Sequence, residues 1–194
     1  MLAINRAIIT VNSLILIISG SPRKNGNTDF ICSVLKSEIE HLGETPRVIR
    51  IYDYNINPCV SCRQCVKKNS CIIHDDMDYL SAILLKSDGI VIVSPVFFDN
   101  IPSKLKAFID RTWCMRGKLR DKIGGVVVVG RRYGHAVAIS TLISFMLKHE
   151  MILGMRGIVV FGFEKGEAQF DVDGINDVKK LARRIIDLIK KIKG

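Results

Sequence analysis

The chain has 194 residues, 48% of them hydrophobic and 25% charged. That composition excludes disorder and coiled coil as whole-chain readings and is long enough for one packed core. No apolar run reaches the roughly 18–20 residues of a bilayer span. Two features depart from the average: a formal net charge of +10, and six cysteines of which four fall between Cys59 and Cys71.

Residues 1–12 read as an N-terminal extension to a single domain spanning 1–194. Their apolar stretch is short and interrupted and does not make a signal peptide. Ser13–Ser19 (SLILIIS) is a continuous apolar run, as expected of a strand buried on both faces. Thr28–Leu42 puts Phe30, Ile31, Val34, Leu35, Ile39 and Leu42 on one helical stripe, with Asn27 or Thr28 as cap and Gly43 as terminator. Arg47–Tyr52 predicts a second strand. Residues 53–74 show no period and hold the cysteines. Asp75–Lys86 predicts a helix capped by Asp75 or Asp76, with Met77, Leu80 and Leu84 inward.

Gly89–Ser94 predicts a third strand, Ser103–Trp113 a helix and Gly125–Gly130 a fourth strand. Ala136–Lys148 predicts a helix, Arg156–Phe163 contains a fifth strand, and Gly174–Lys193 is a terminal helix. This last helix places Ile175, Val178, Leu181, Ala182, Ile185, Ile186, Ile189 and Ile192 on one face and bases on the other. Packing on a sheet is its expected role, rather than lying on a membrane. Alternating strands and helices imply an α/β fold, doubly wound, with a five-stranded parallel sheet in the order 2-1-3-4-5. The ligand crevice then lies at the carboxyl ends of strands 1 and 3, so the loops after Ser19 and Ser94 face one ligand.

The first of these loops, Gly20 to Thr28 (GSPRKNGNT), fits neither the dinucleotide fingerprint nor the Walker A loop. Its parts still suit a phosphate. The helix N-terminus offers free N–H groups, Ser21 and Thr28 add hydroxyls, Asn27 an amide and Arg23 a charge. An ordinary polar turn is the alternative. The second loop, Ser94 to Pro102 (SPVFFDNIP), sets Phe97 and Phe98 beside the same crevice, with Asn100 near. That pairing suits a planar aromatic ring with a phosphorylated tail.

Cys59, Cys62, Cys65 and Cys71 read C-x2-C-x2-C-x5-C. The compact run is similar to those that carry iron–sulfur clusters. Structural zinc usually employs two separated C-x2-C knuckles. The cluster is the first reading; zinc and unligated redox or inert thiols stay open. Lys67 and Lys68 would offset part of a cluster's charge. Cys32 reads as a buried free thiol, and Cys114 has no assigned role.

The phosphate loop, the run SPVFFDNIPSKLKAFIDR and the cysteine run together resemble the iron–sulfur flavoproteins. These are a mainly archaeal and anaerobe branch of the flavodoxin-like NADPH-dependent FMN reductase superfamily, and the likeness covers about residues 13–165. The resemblance implies FMN, with its phosphate held by Ser21, Arg23, Asn27 and Thr28 and its ring lined by Pro95, Val96, Phe97, Phe98 and Asn100. It implies a [4Fe–4S] cluster on Cys59, Cys62, Cys65 and Cys71, in a homodimer or homotetramer that sets the cluster near the flavin of a neighbouring subunit. Phe97 stands where many relatives carry Tyr. The loop Arg131 to His135 lacks the usual pair of glycines. His135 reads either as a proton donor at the ring edge or as an exposed loop histidine.

The implied activity is that of a cytoplasmic oxidoreductase. It would take electrons from an acidic, ferredoxin-like donor through the cluster to FMN and on to a small oxidant, dioxygen or hydrogen peroxide. No catalytic triad or general base is needed. Two alternatives are an NAD(P)H-dependent FMN or quinone reductase with zinc-binding or structural cysteines, and a non-enzymatic redox-sensing interaction protein. Scattered basic pairs without a basic run argue against nucleic acid. With both anionic groups bound, the net charge falls to about +6.

Overall fold

The computed structural model describes residues 12–193; most of the predicted extension, residues 1–11, lies outside the described residues. Strands β1 (Leu14–Ser19), β2 (Thr45–Arg50), β3 (Gly89–Pro95) and β4 (Ile123–Gly130) run parallel in the order β2-β1-β3-β4. Ile17 pairs with Val48 on one side and Val91 on the other. The fifth position is filled by two segments in tandem. β5 (Ile152–Leu153) pairs with Ile123 and Gly124, and β6 (Ile158–Phe161) pairs with Val127–Gly130. The single strand expected within 156–163 is therefore split, and the sheet has six strands in the order 2-1-3-4-5 with the sixth also on β4.

Alternate residues of each strand feed two separate cores. Leu16, Ile18, Ile90, Ile92, Val126 and Val128 pack under α3 (Met77–Lys86), α4 (Ser103–Arg111) and α5 (His135–Lys148). Ile15, Ile17, Val91, Val93, Val127 and Val129 pack under α1 (Asn27–His41) and α6 (Val172–Lys193). A sheet covered on both faces has no polar side, which is why the strands read as unbroken apolar runs. The apolar face of α6 is thus spent on the sheet, although Ile192 at its end is half exposed. Among the described residues no helix is long and apolar enough to cross a membrane.

Several element ends differ from the sequence reading. β2 stops at Arg50 because its partner β1 ends at Ser19, and Ile51–Asp53 coils into a 3-10 turn. β4 begins at Ile123, two residues early, and Gly124–Gly125 lie inside it. A Cβ on Gly125 would stand 3.0 Å from Ile185 Cδ1, so this glycine admits the close approach of α6. Residues 53–74 contain a short helix, α2 (Gln64–Lys68), bounded by left-handed Arg63 and Asn69. Neither Asn27 nor Thr28 caps α1; Gly26 does so with backbone alone.

The end of α1 is a full Schellman closure. Gly43 N–H donates to Glu40 O at 3.0 Å and Glu44 N–H to Ile39 O at 3.2 Å, with Gly43 at φ +80°. A Cβ there meets nothing within 4 Å, so Gly43→Ala pays only the left-handed backbone cost. We expect a loss of about 1–2 kcal/mol in chemical denaturation, without change of fold.

Candidate functional site

The loop after β1 is locked from below. Gly20 N–H donates to Val93 O at 2.8 Å, which draws the loop against β3. Asp29 accepts from Ser19 Oγ at 3.0 Å and from Asn25 N–H at 2.8 Å. Arg50 pairs with Asp29 at 3.1 Å and donates to Ser21 O at 3.3 Å. Ser21 Oγ accepts Arg23 N–H at 3.1 Å. No side chain caps α1, so the N–H groups of its first turn remain available to an anion.

This loop and the loop after β3 line one cleft of about 470 Å³, at the point where the strand order reverses. Ser21, Arg23, Asn27, Thr28, Pro95, Val96, Phe97 and Phe98 all reach its wall. Three expected side chains already have protein partners, the first being Ser21, whose Oγ–H donates to Arg23 O at 3.3 Å in its own turn. The Asn27 amide donates to Glu164 O at 2.9 Å and accepts Gly166 N–H at 2.8 Å, tying down the loop after β6. Asn100 is not on the wall; its Oδ1 accepts Ile101 N–H at 2.8 Å and Thr141 Oγ at 3.0 Å. The wall also includes Lys24, Arg131, Arg132, Tyr133, Phe163 and Lys165, which sequence reasoning missed. The Arg131–Tyr133 loop, singled out above for its missing glycine pair but given no site role, follows β4 at the same sheet edge and does reach the cleft. Phe163 and Lys165 follow the split strand and gave no signal. Five basic side chains against the single acid Asp99 give the cleft wall an excess of positive charge.

Phe97 and Asn100 exchange both backbone hydrogen bonds, at 2.7 and 3.0 Å, around Phe98 (φ +44°) and Asp99 (φ +61°). Left-handed geometry at a phenylalanine is strained, and Phe98 is fully exposed at the cleft. The turn rests on Gly134, where a Cβ would stand 2.6 Å from Asp99 Cα. His135 is not an exposed loop residue. It opens α5, is 8% exposed and packs edge-on to Phe161, and its Nε2 has no partner among the described residues.

The cysteine loop is held by one buried cation. Arg111, 2% exposed, ends α4 and grips both oxygens of Asp75 at 2.7 and 3.1 Å. Its remaining Nη protons go to Asn57 O and Ile73 O, each at 2.8 Å, one on either flank of the loop. Burial opposes ionisation of Asp75. Hydrogen bonds from Arg111 and from the N–H groups of Asn57 and Met77 outweigh it and hold the carboxyl at about 2. The Met77 bond, at 3.0 Å, also makes Asp75 the acid that serves the start of α3.

Beside this anchor Cys59, Cys62, Cys65 and Cys71 line one cavity of about 580 Å³, with Cys114, Trp113 and His149 on the same wall. Burial, then the nearness of Cys71 and Cys65, pushes the Cys114 thiol up. Burial pushes His149 down, leaving it neutral and bonded to Thr112 Oγ1 at 2.8 Å. Among the described residues no three His, Cys, Asp or Glu side chains stand close enough to hold a single metal ion. Arg111 Nε is buried with no partner among the described residues, which calls for an acceptor on this wall. Thiolate or sulfide sulfur would meet that need, so the donor set fits an iron–sulfur group. The two cavities share no lining residue. Cys32 is a buried thiol with burial first among the causes that raise it.

A doubly wound sheet with a cleft at its switch point, beside an uncapped helix N-terminus, defines a flavodoxin-like protein. The chain belongs to the NADPH-dependent FMN reductase family, whose model matches residues 13–166, and within it to the iron–sulfur flavoproteins. It is similar to an iron–sulfur flavoprotein of Methanocaldococcus jannaschii, 32% identical over 91% of this chain and 97% of that one. It is also similar to one of Methanosarcina thermophila, 31% identical over 90% and 94%. In fold it resembles RosB solved with bound 8-demethyl-8-formylriboflavin-5'-phosphate. That likeness has a TM-score of 0.78 and 13% identity, covering 93% of this chain and 80% of that one. An archaeal flavodoxin aligns with a TM-score of 0.61 and 15% identity over 91% and 99%. The protein is a redox flavoprotein and an oxidoreductase, and the family supports FMN as its cofactor.

The depressed Asp75 sets an acid limit on the cysteine loop. Its anchoring is fully present above the unfolded carboxyl value near 4 and is lost as pH falls through about 2. Trp113, the single tryptophan, stands on the cavity wall and reports it. In metal-free protein its fluorescence should change between about pH 4 and pH 2, and Asp75→Asn should remove that transition.

Proposed function

We propose that this oxidoreductase holds FMN in the cleft between the β1 and β3 loops and a [4Fe–4S] cluster on Cys59, Cys62, Cys65 and Cys71. The observation that carries the reading is the convergence of all four cysteines of the compact run on one cavity with a buried guanidinium at its edge. When bound, FMN supplies one- and two-electron chemistry and the cluster one-electron transfer, which together join a one-electron donor to a two-electron acceptor.

The chain's own part is binding and screening. Ser21, Thr28 and the first N–H groups of α1 hold the phosphate, and Arg23 balances its charge. Pro95, Val96, Phe97 and Phe98 flank the ring and keep water from it. Lys67 and Lys68 beside the cysteines, with the +10 total, suit an acidic ferredoxin-like donor. Dioxygen or hydrogen peroxide is the proposed acceptor, and the cytoplasm the proposed location. A homodimer or homotetramer is proposed because the two cavities of one chain share no wall, so a neighbouring subunit can bring a flavin to the cluster.

Iron, sulfide and flavin analysis of anaerobically purified protein tests this. The expected content is about four irons, four sulfides and one FMN per chain. Yellow protein without iron would instead favour an NADPH-dependent flavin reductase with structural cysteines, in keeping with the family's description. Cys71→Ser should abolish or convert the broad visible absorption beneath the flavin bands. Arg23→Ala with Thr28→Ala should weaken FMN retention about tenfold or more, read by dialysis and absorbance.

A further inference from the structure

Arg111 has five N–H donors, and four are accounted for. Two meet the carboxylate of Asp75, and the Nη groups also reach Asn57 O and Ile73 O. The side chains of the ion pair are 0% and 1% exposed. A buried cation with one unspent donor is costly unless an acceptor completes it. Arg111 lines the cysteine cavity, where Cys71 is near enough to act on the guanidinium through charge and hydrogen bonding, while Nε itself has no partner among the described residues. The carbonyls that Arg111 grips lie two residues before Cys59 and two after Cys71.

We propose that Arg111 is a positioning residue of the iron–sulfur centre, clamping both flanks of the cysteine loop and donating its Nε–H to sulfur in the cavity. The inference rests on the cluster reading given above. A cation that donates to cluster sulfur stabilises the reduced, more negative state, so Arg111 raises the reduction potential, and Asp75 lowers it through the same pair.

The test compares Arg111→Lys and Asp75→Asn in holoprotein. Lysine keeps the charge and can reach Asp75, but lacks the planar fork and the Nε donor. The cluster midpoint, followed by EPR in a redox titration, should move negative in R111K and positive in D75N. A loosened loop alone would move both variants the same way or neither, and either result overturns the tuning role. A measurement without substitution stands beside it. Protein labelled with 15N only in the arginine guanidinium groups should show a nitrogen coupling to the reduced cluster in pulsed EPR, and R111K should lose its largest component, Arg63 and Arg116 on the same wall being unchanged. Absence of the coupling in the wild-type protein overturns the donation. Wild-type protein that lacks iron and sulfide overturns the cluster reading itself, which separates the two failures.

Discussion

Every functional feature follows from the covering of the sheet on both faces. With α1 and α6 on one side and α3, α4 and α5 on the other, the strands offer no surface of their own to a ligand. Polar chemistry is pushed to the carboxyl ends of the strands and into whatever the connections can carry. The switch point between β1 and β3 is the one place where two neighbouring connections leave in opposite directions, and the cleft opens there. The Asp29–Arg50 pair and Ser21 hold the loop before any ligand arrives, so binding orders little further chain.

The cysteine loop faces the opposite problem. It leaves the sheet with almost nothing apolar to bury, and Cys59 and Cys62 are exposed. A loop of that kind cannot be fixed by packing. The structure fixes it by a charge instead: a single guanidinium, paired inside the protein, satisfies backbone carbonyls on both flanks. Such a pair contributes little net stability because desolvation offsets its attraction. Its value is geometric, since two backbone carbonyls and a carboxylate define one orientation of the loop against α4.

The two-core architecture was legible because buried parallel strands are written as apolar runs and the helices as stripes, as with SLILIIS and the Val178 to Ile189 face. What escaped was set by partners distant in the chain. The end of β2 depends on where β1 stops, and the break at Gly154–Gly157 on how closely the helices approach the sheet. A Cβ on Gly157 would lie 2.3 Å from Ile139 Cγ2. In the site, Ser21, Arg23 and Thr28 were readable from the loop that precedes a helix. The side-chain partners of Asn27, on the loop after β6, and of Asn100, at Ile101 and Thr141, could not be read from the pattern, because both sets include residues distant in the chain. Arg111 was visible only as the last letter of SKLKAFIDR; its grip on residues 57, 73 and 75 needs the third dimension.

The split at the fifth position bears on how the molecule coexists with its copies. An open sheet presents a row of unpaired N–H and C=O groups at each edge, a template on which another chain can extend. Here one edge is broken into pieces of two and four residues. The other is β2, where Pro46 removes a donor and Arg47 and Arg50 add charge. Neither edge runs long, flat and apolar. A parallel sheet of this kind forms slowly, because its strands meet only after long excursions of chain. Blunt edges let it wait for its helices without recruiting a neighbour's strand.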